Sequence, residues 1–210
     1  MNRLNGGVYV LINESELLSG ICEEFRKKGV KAILLSRMNS EAIGGGRVRW
    51  LSSVYDPNEA PLYVGSIKIV GRNFDQVQVF SRIIPGDVGA FRWYDLHFCI
   101  LGDVKGKSKI FSASLRKSFF GKKISWKGRD LAEQLNKDSE LKAMLTEYGV
   151  WTSFGKSNVR VCPDEKYSCV RIVFMMRRNE SSELNLMIKR SVECLKIAER
   201  IADHIRFLLK

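Results

Sequence analysis

A chain of 210 residues, 45% apolar and 28% charged, carries enough apolar material for a buried core and lies far from the low-hydrophobicity composition of a disordered protein. Its 35 Lys and Arg exceed its 23 Asp and Glu by a net charge of +12, and no run approaches the roughly 18 apolar residues that a membrane-spanning helix requires. The apolar run at residues 8–12 is too short for a signal-peptide core, and the five cysteines (Cys22, Cys99, Cys162, Cys169 and Cys194) are odd in number and form no C-x-x-C pair. Together these point to a cytoplasmic protein whose thiols pack as small apolar side chains.

Along the chain, residues 8–12, 14–28 and 30–35 read as strand, helix and strand, a unit that often pairs its strands in parallel through a right-handed crossover. Asn13 can cap the helix, Glu16 stands at the capping-box position, Leu17, Leu18, Ile21 and Phe25 share one face, and Gly29 follows a basic last turn. No phosphate-binding glycine fingerprint separates the first strand from the helix. Residues 39–46, with Asn39-Ser40 and Gly44-Gly45-Gly46, form a turn-prone hinge.

Segments 47–55, 62–70, 76–84, 91–101 and 109–115 are β-rich and bounded by turn chemistry such as Gly71-Arg72-Asn73 and Pro85-Gly86-Asp87. Their short connections favour antiparallel meanders. Residues 129–148 read as helix, with a break at 136–139, and residues 159–162 and 168–176 as a hairpin whose turn brings Cys162 and Cys169 near each other. A long helix starting at the caps Ser181 and Ser182 closes the chain, its apolar stripe running from Leu184 through Leu195 to Leu209. The stripe suits packing on the chain's own sheet, and a coiled-coil seam joining two copies into a homo-oligomer is the alternative.

The expected fold is thus α+β: a mostly antiparallel β-sheet packed by a middle helical segment and a long C-terminal helix, preceded by a small β-α-β segment. Residues 1–45 would form that segment or lobe with its hinge and residues 46–210 the main domain, or the two would make one compact unit.

Charge carries the functional content. Residues 104–129 contain nine basic side chains (Lys105, Lys107, Lys109, Arg116, Lys117, Lys122, Lys123, Lys127 and Arg129) and no acid, so the remainder of the chain has a net charge of only +3. Phe111, Phe119, Phe120 and Trp126 are interspersed among them, either as stacking surfaces for bases or as core residues. These nine are the candidate anion-binding residues, with nucleic acid the expected partner ahead of an anionic membrane surface. No zinc-finger spacing, RNA-recognition signature or helix-turn-helix accompanies them.

Catalytic signals are sparse. Walker loops, metalloprotease helices and nucleophile elbows are absent, and the two histidines, His97 and His204, offer little to a triad or a metal site. Asp95, His97 and Cys99 alternate on one predicted strand and share a face, but at roughly 6.5 to 7 Å spacing they need partners from other strands. No cofactor and no metal are expected. The reading is a non-catalytic binding or scaffold domain, with a motif-less enzyme acting on an anionic substrate as the alternative.

Overall fold

The computed structural model describes residues 13–35, 61–86, 89–117, 124–148, 158–176 and 184–210. In chain order the elements are helix α1 (Glu14–Lys27), strands β1 (Lys31–Leu35), β2 (Leu62–Val70), β3 (Gln76–Gly86) and β4 (Gly89–Leu101), then the short helix α2 (Ser108–Phe111), followed by β5 (Ala113–Lys117) and β6 (Ile124–Gly128). Helices α3 (Asp130–Lys137) and α4 (Ser139–Glu147) come next, then β7 (Val159–Asp164), a 3-10 turn (Glu165–Tyr167), β8 (Cys169–Met175) and the long helix α5 (Leu184–Leu209). The expected strands at 8–12 and 47–55, the glycine hinge at 39–46 and the caps Ser181 and Ser182 lie outside the described residues.

The strands form one eight-stranded sheet in the order β1-β2-β3-β4-β8-β7-β5-β6. Every neighbouring pair is antiparallel. The α+β class with an antiparallel sheet, middle helices and a long terminal helix is therefore what the chain adopts. β1 joins β2 antiparallel, Lys31 opposite Val70, so the strand after α1 belongs to the meander.

Alternation along the central strands explains the layering, because residues two apart project from the same face. On β4, Tyr94, Leu96, Phe98 and Ile100 face the helices, as do Val170, Ile172 and Phe174 on β8, and they meet Leu17, Ile21 and Phe25 of α1 and Met187, Leu195, Ala198 and Ile201 of α5 in one continuous core. The α5 stripe that also fits a coiled-coil seam is buried here against the chain's own sheet and helices. Phe207 projects outward, 70% exposed. Among the described residues, no helix is long and apolar enough to cross a membrane.

Local polar chemistry sets the helix boundaries. Asn13 Oδ1 accepts from Ser15 N at 3.1 Å to start α1. Between α3 and α4, Asp138 breaks the helix as expected near 136–139 and caps α4 by accepting from Leu141 N at 2.9 Å. The same carboxylate accepts from Arg200 Nε at 2.6 Å and lies 2.8 Å from His204 Nε2, which fastens the break to α5. Burial raises its proton affinity, and the bonds from Arg200, His204 and the Leu141 amide outweigh this and hold the carboxyl below the usual range.

One expected strand is corrected. Residues 109–115 begin as α2, and the strand starts only at Ala113. Ser108 is held from a distance, its hydroxyl donating to Glu165 at 2.5 Å, while Ser112 Oγ donates back to Ser108 O at 2.6 Å and closes the helical turn.

Candidate anion-binding groove

The sheet face opposite the helices is polar along its central strands. Across β2, β3, β4 and β8 it presents Ser66, Gln78, Arg82, Asp95, His97, Cys99 and Arg171, all buried. Buried charge is costly unless paired, and two ion pairs meet that requirement. Arg82 donates to Asp95 through Nε and through Nη2, the latter at 3.0 Å. Arg171, 0% exposed, donates from Nε to Asp164 Oδ2 at 2.8 Å and from Nη1 to Gln78 Oε1 at 2.6 Å. Its Nη2 is buried without a hydrogen-bond partner among the described residues, and its guanidinium carbon lies 5.7 Å from the centre of the Tyr167 ring.

Asp95, His97 and Cys99 do share this face, and neighbouring strands supply their partners. The His97 ring packs on Phe80 with centroids 4.5 Å apart. Burial, then the charges of Arg171 and Arg82, keep its pKa well below the ordinary imidazole value, so it is neutral. Cys99 Sγ accepts from Arg171 Nη1 at 3.2 Å. Burial raises the Cys99 thiol, but a hydrogen bond with Cys169 and the charge of Arg171 outweigh it and draw the pKa below its ordinary value. Cys169 is pushed up, first by that hydrogen bond and then by burial. The hairpin of β7 and β8 places Cys162 opposite Arg171 and Cys169 opposite Asp164, so Cys169 neighbours Cys99 rather than Cys162. None of the five cysteines forms a disulfide. Among the described residues, no group of three or more His, Cys, Asp or Glu side chains could hold a metal ion.

Towards β6 the same face becomes cationic and accessible. β5 pairs with β6 on one side and β7 on the other, so Lys127, Ser114 and Arg160 stand in one row across three strands. Arg116, exposed, projects on this face from the neighbouring row, opposite Ser125. The row opens into a groove of about 490 Å3 lined by Ser108, Ser112, Ser114, Lys127, Arg160 and Cys162, with Gly128, Val161 and Pro163 among its walls. Gly128 is required by the close approach of β6 to the α2–β5 junction, where a Cβ would stand 2.3 Å from Ser112 O.

Cys162, 8% exposed, lies beside both Arg160 and Arg171. Burial pushes its thiol up to about 11, against the lowering influence of Arg160 and Arg171, so the groove presents a neutral thiol and not a thiolate at neutral pH.

The nine candidate residues are distributed unevenly. Lys105, Lys109, Arg116, Lys127 and Arg129 are exposed and Lys107 is half-buried. Of these, Arg116 and Lys127 come together on the polar face. Lys105, Lys107 and Lys109 stand on the loop and helix that lead into the groove. Lys122, Lys123, Phe119 and Phe120 lie outside the described residues, as does the side chain of Lys117. Phe111 and Trp126 are buried in the core, which removes them as stacking surfaces. Arg160 was not anticipated: it belongs to the later hairpin and reaches the basic segment only because β7 pairs with β5. The Val159-Arg160-Val161 alternation was the available signal, since it sets Arg160 on the face opposite two buried valines.

No protein-family model, no curated protein and no solved structure matches the chain.

Proposed function

We propose that this protein is a non-catalytic binding domain for an anionic macromolecule, nucleic acid in the first instance, which it meets through the cationic end of its sheet. The observation that carries the reading is the row Lys127–Ser114–Arg160 across β6, β5 and β7, with Arg116 beside it, on a face open to solvent at that end. Lys105, Lys109 and Arg129 are further exposed cations of the same segment. Side chains of this type exchange condensed counterions for phosphate contacts, which gives binding that is strong at low salt and weak in sequence preference. Phe111 and Trp126 are in the core, so among the described residues of the segment it is the cations that offer a contact, and such contacts to a phosphate backbone position a partner without reading its bases.

The test is binding to labelled single-stranded and double-stranded nucleic acid across a salt series, with the variant Arg116→Glu/Lys127→Glu alongside. Both side chains are exposed, so the variant should retain the fold, which circular dichroism checks. The expected result is a steep loss of affinity with salt, with the log–log slope for single strands smaller by about 1.4 in the variant, the equivalent of two phosphate contacts. Absence of binding at low salt, or a slope the variant leaves unchanged, would discard the reading and direct attention to anionic vesicles.

A further inference from the structure

The proposed function concerns a surface, whereas the groove within that surface has dimensions and chemistry of its own. Its volume of about 490 Å3 lies in the range of small-molecule sites, roughly 300 to 1,000 Å3, and exceeds what a lone inorganic ion fills. Lys127 and Arg160 flank Ser114 on adjacent strands, so their backbones are separated by two strand spacings, about 10 Å. Side chains of that length are long enough to reach a ligand seated over Ser114 from both sides. The Ser108 and Ser112 hydroxyls donate elsewhere, to Glu165 and to Ser108 O, which leaves the Ser114 hydroxyl as the serine suited to donate to a ligand.

The floor favours an anion as well. Cys162 is a neutral thiol and brings no competing negative charge. Behind it Arg171 is fully buried, its Nη2 lacking a hydrogen-bond partner among the described residues, and it acts electrostatically on Cys162 together with Arg160. Asp164 pairs with that guanidinium through Nε, and Lys127 and Arg160 are the cationic side chains that line the groove itself.

We infer that this groove is a seat for one phosphate group, bound by Lys127, Arg160 and the Ser114 hydroxyl, on a ligand of about nucleotide size. The inference rests on the reading of β5–β7 as an anion-binding face and gives that face a discrete subsite. The phosphate can come from two sources, one nucleotide unit of a bound strand or a free phosphorylated small molecule. Guanidinium and ammonium donors recognise the same phosphoryl oxygens in either.

The experiment titrates the full-length protein with inorganic phosphate, adenosine monophosphate, adenosine and a short single-stranded oligonucleotide, following backbone amide shifts by 1H–15N NMR. Phosphate and the monophosphate should move the amides of Ser114, Lys127, Arg160 and Cys162 saturably, and adenosine should not. Lys127→Met/Arg160→Met should weaken phosphate at least tenfold, whereas Lys137→Ala/Lys142→Ala, exposed on α3 and α4 away from the groove, should leave it unchanged. The shift map on the unaltered protein is independent of how well the variants fold. No saturable shift by about 10 mM phosphate would overturn the subsite, as would full retention of phosphate binding in the double methionine variant.

Its failure separates from failure of the broader reading. Oligonucleotide binding without phosphate binding leaves an extended electrostatic face and removes the seat. Phosphate and monophosphate binding without oligonucleotide binding keeps the seat and replaces the macromolecular partner with a small phosphorylated ligand. If neither is seen, both fall.

Discussion

Replacing Arg171 by Met tests the organisation of the polar sheet face. The guanidinium is 0% exposed, and its Asp164 partner is 7% exposed and accepts its Nε proton at 2.8 Å. Removing it leaves a buried carboxylate without that cation, which in comparable settings costs about 3 to 5 kcal/mol. Gln78 Oε1 also loses a 2.6 Å donor. Against a total stability of about 5 to 15 kcal/mol for a domain of ordinary size, the single variant forfeits a large share. The double variant Arg171→Met/Asp164→Leu removes both charges and fills the space with apolar volume, so it should recover at least about 2 kcal/mol of the loss. The remaining gap is the weakened bonding of Gln78, about 1 to 3 kcal/mol. Urea unfolding followed by circular dichroism measures all three proteins. A cost below about 1 kcal/mol for Arg171→Met, with no recovery in the double variant, would show that the guanidinium does not serve as a buried, paired charge and would refute the reasoning.

Two further outcomes follow from the helical layer. Asp138→Asn should destabilise by about 2 kcal/mol at neutral pH, because the α4 cap weakens and the charged bonds to Arg200 and His204 go with the carboxylate, Arg200 being half-exposed and its bond discounted accordingly. Since the folded-state pKa of Asp138 lies below its unfolded value near 3.9, that contribution is complete above about pH 5 and is lost as pH falls below it. Urea unfolding of both proteins at pH 7 and pH 3 should show the gap narrowing on acidification, and a gap that widens would contradict the assignment. Ile201→Ala, at a fully buried position on the α5 stripe, should cost about 2 to 5 kcal/mol in the same assay without altering the molecular mass in light scattering. A concentration-dependent mass that collapses in this variant would restore the coiled-coil reading of the stripe.

Legibility in the sequence followed the range of the interactions involved. β2 occupies residues 62–70 as expected, because Gly71-Arg72-Asn73 ends it through turn chemistry that needs no distant partner. The α3–α4 break was readable for the same reason: Asp138 caps with its own side chain. Where the deciding contact is remote, the reading failed. Ile110 and Phe111 look like strand residues, and their turn is fixed by Glu165 binding Ser108 and the Gly106 amide across more than fifty residues of chain. Phe111 and Trp126 left their core and stacking roles equally open until the register of β5 with β6 turned Trp126, opposite Leu115, to the helical side. The basic segment was visible from charge counting, but its grouping was not. Arg116 and Lys127 share a face because they occupy alternate positions on paired strands, and Arg160 joins them through a pairing that no local pattern announces.

The cationic end of the sheet has a competing explanation in strand protection, and the sign of its charge separates the two. β6 ends the order of described strands, and an open strand edge invites pairing with another chain unless charged side chains discourage it. Arg116 and Lys127 would serve that purpose, but so would glutamates, because protection depends on the presence of charge rather than its sign. Phosphate recognition requires positive charge. Further along the face, Arg82 and Arg171 are matched by Asp95 and Asp164, so the centre of the sheet contributes little net field. Screening at physiological salt confines the attraction of exposed charges to about 8 Å, so the anion-binding reading requires the partner to lie over β5, β6 and β7 and not over the paired centre. Arg116→Glu/Lys127→Glu should therefore keep the fold and molecular mass of the unaltered protein while losing anion affinity. If the variant instead aggregates with its anion binding intact, edge protection is what these residues provide.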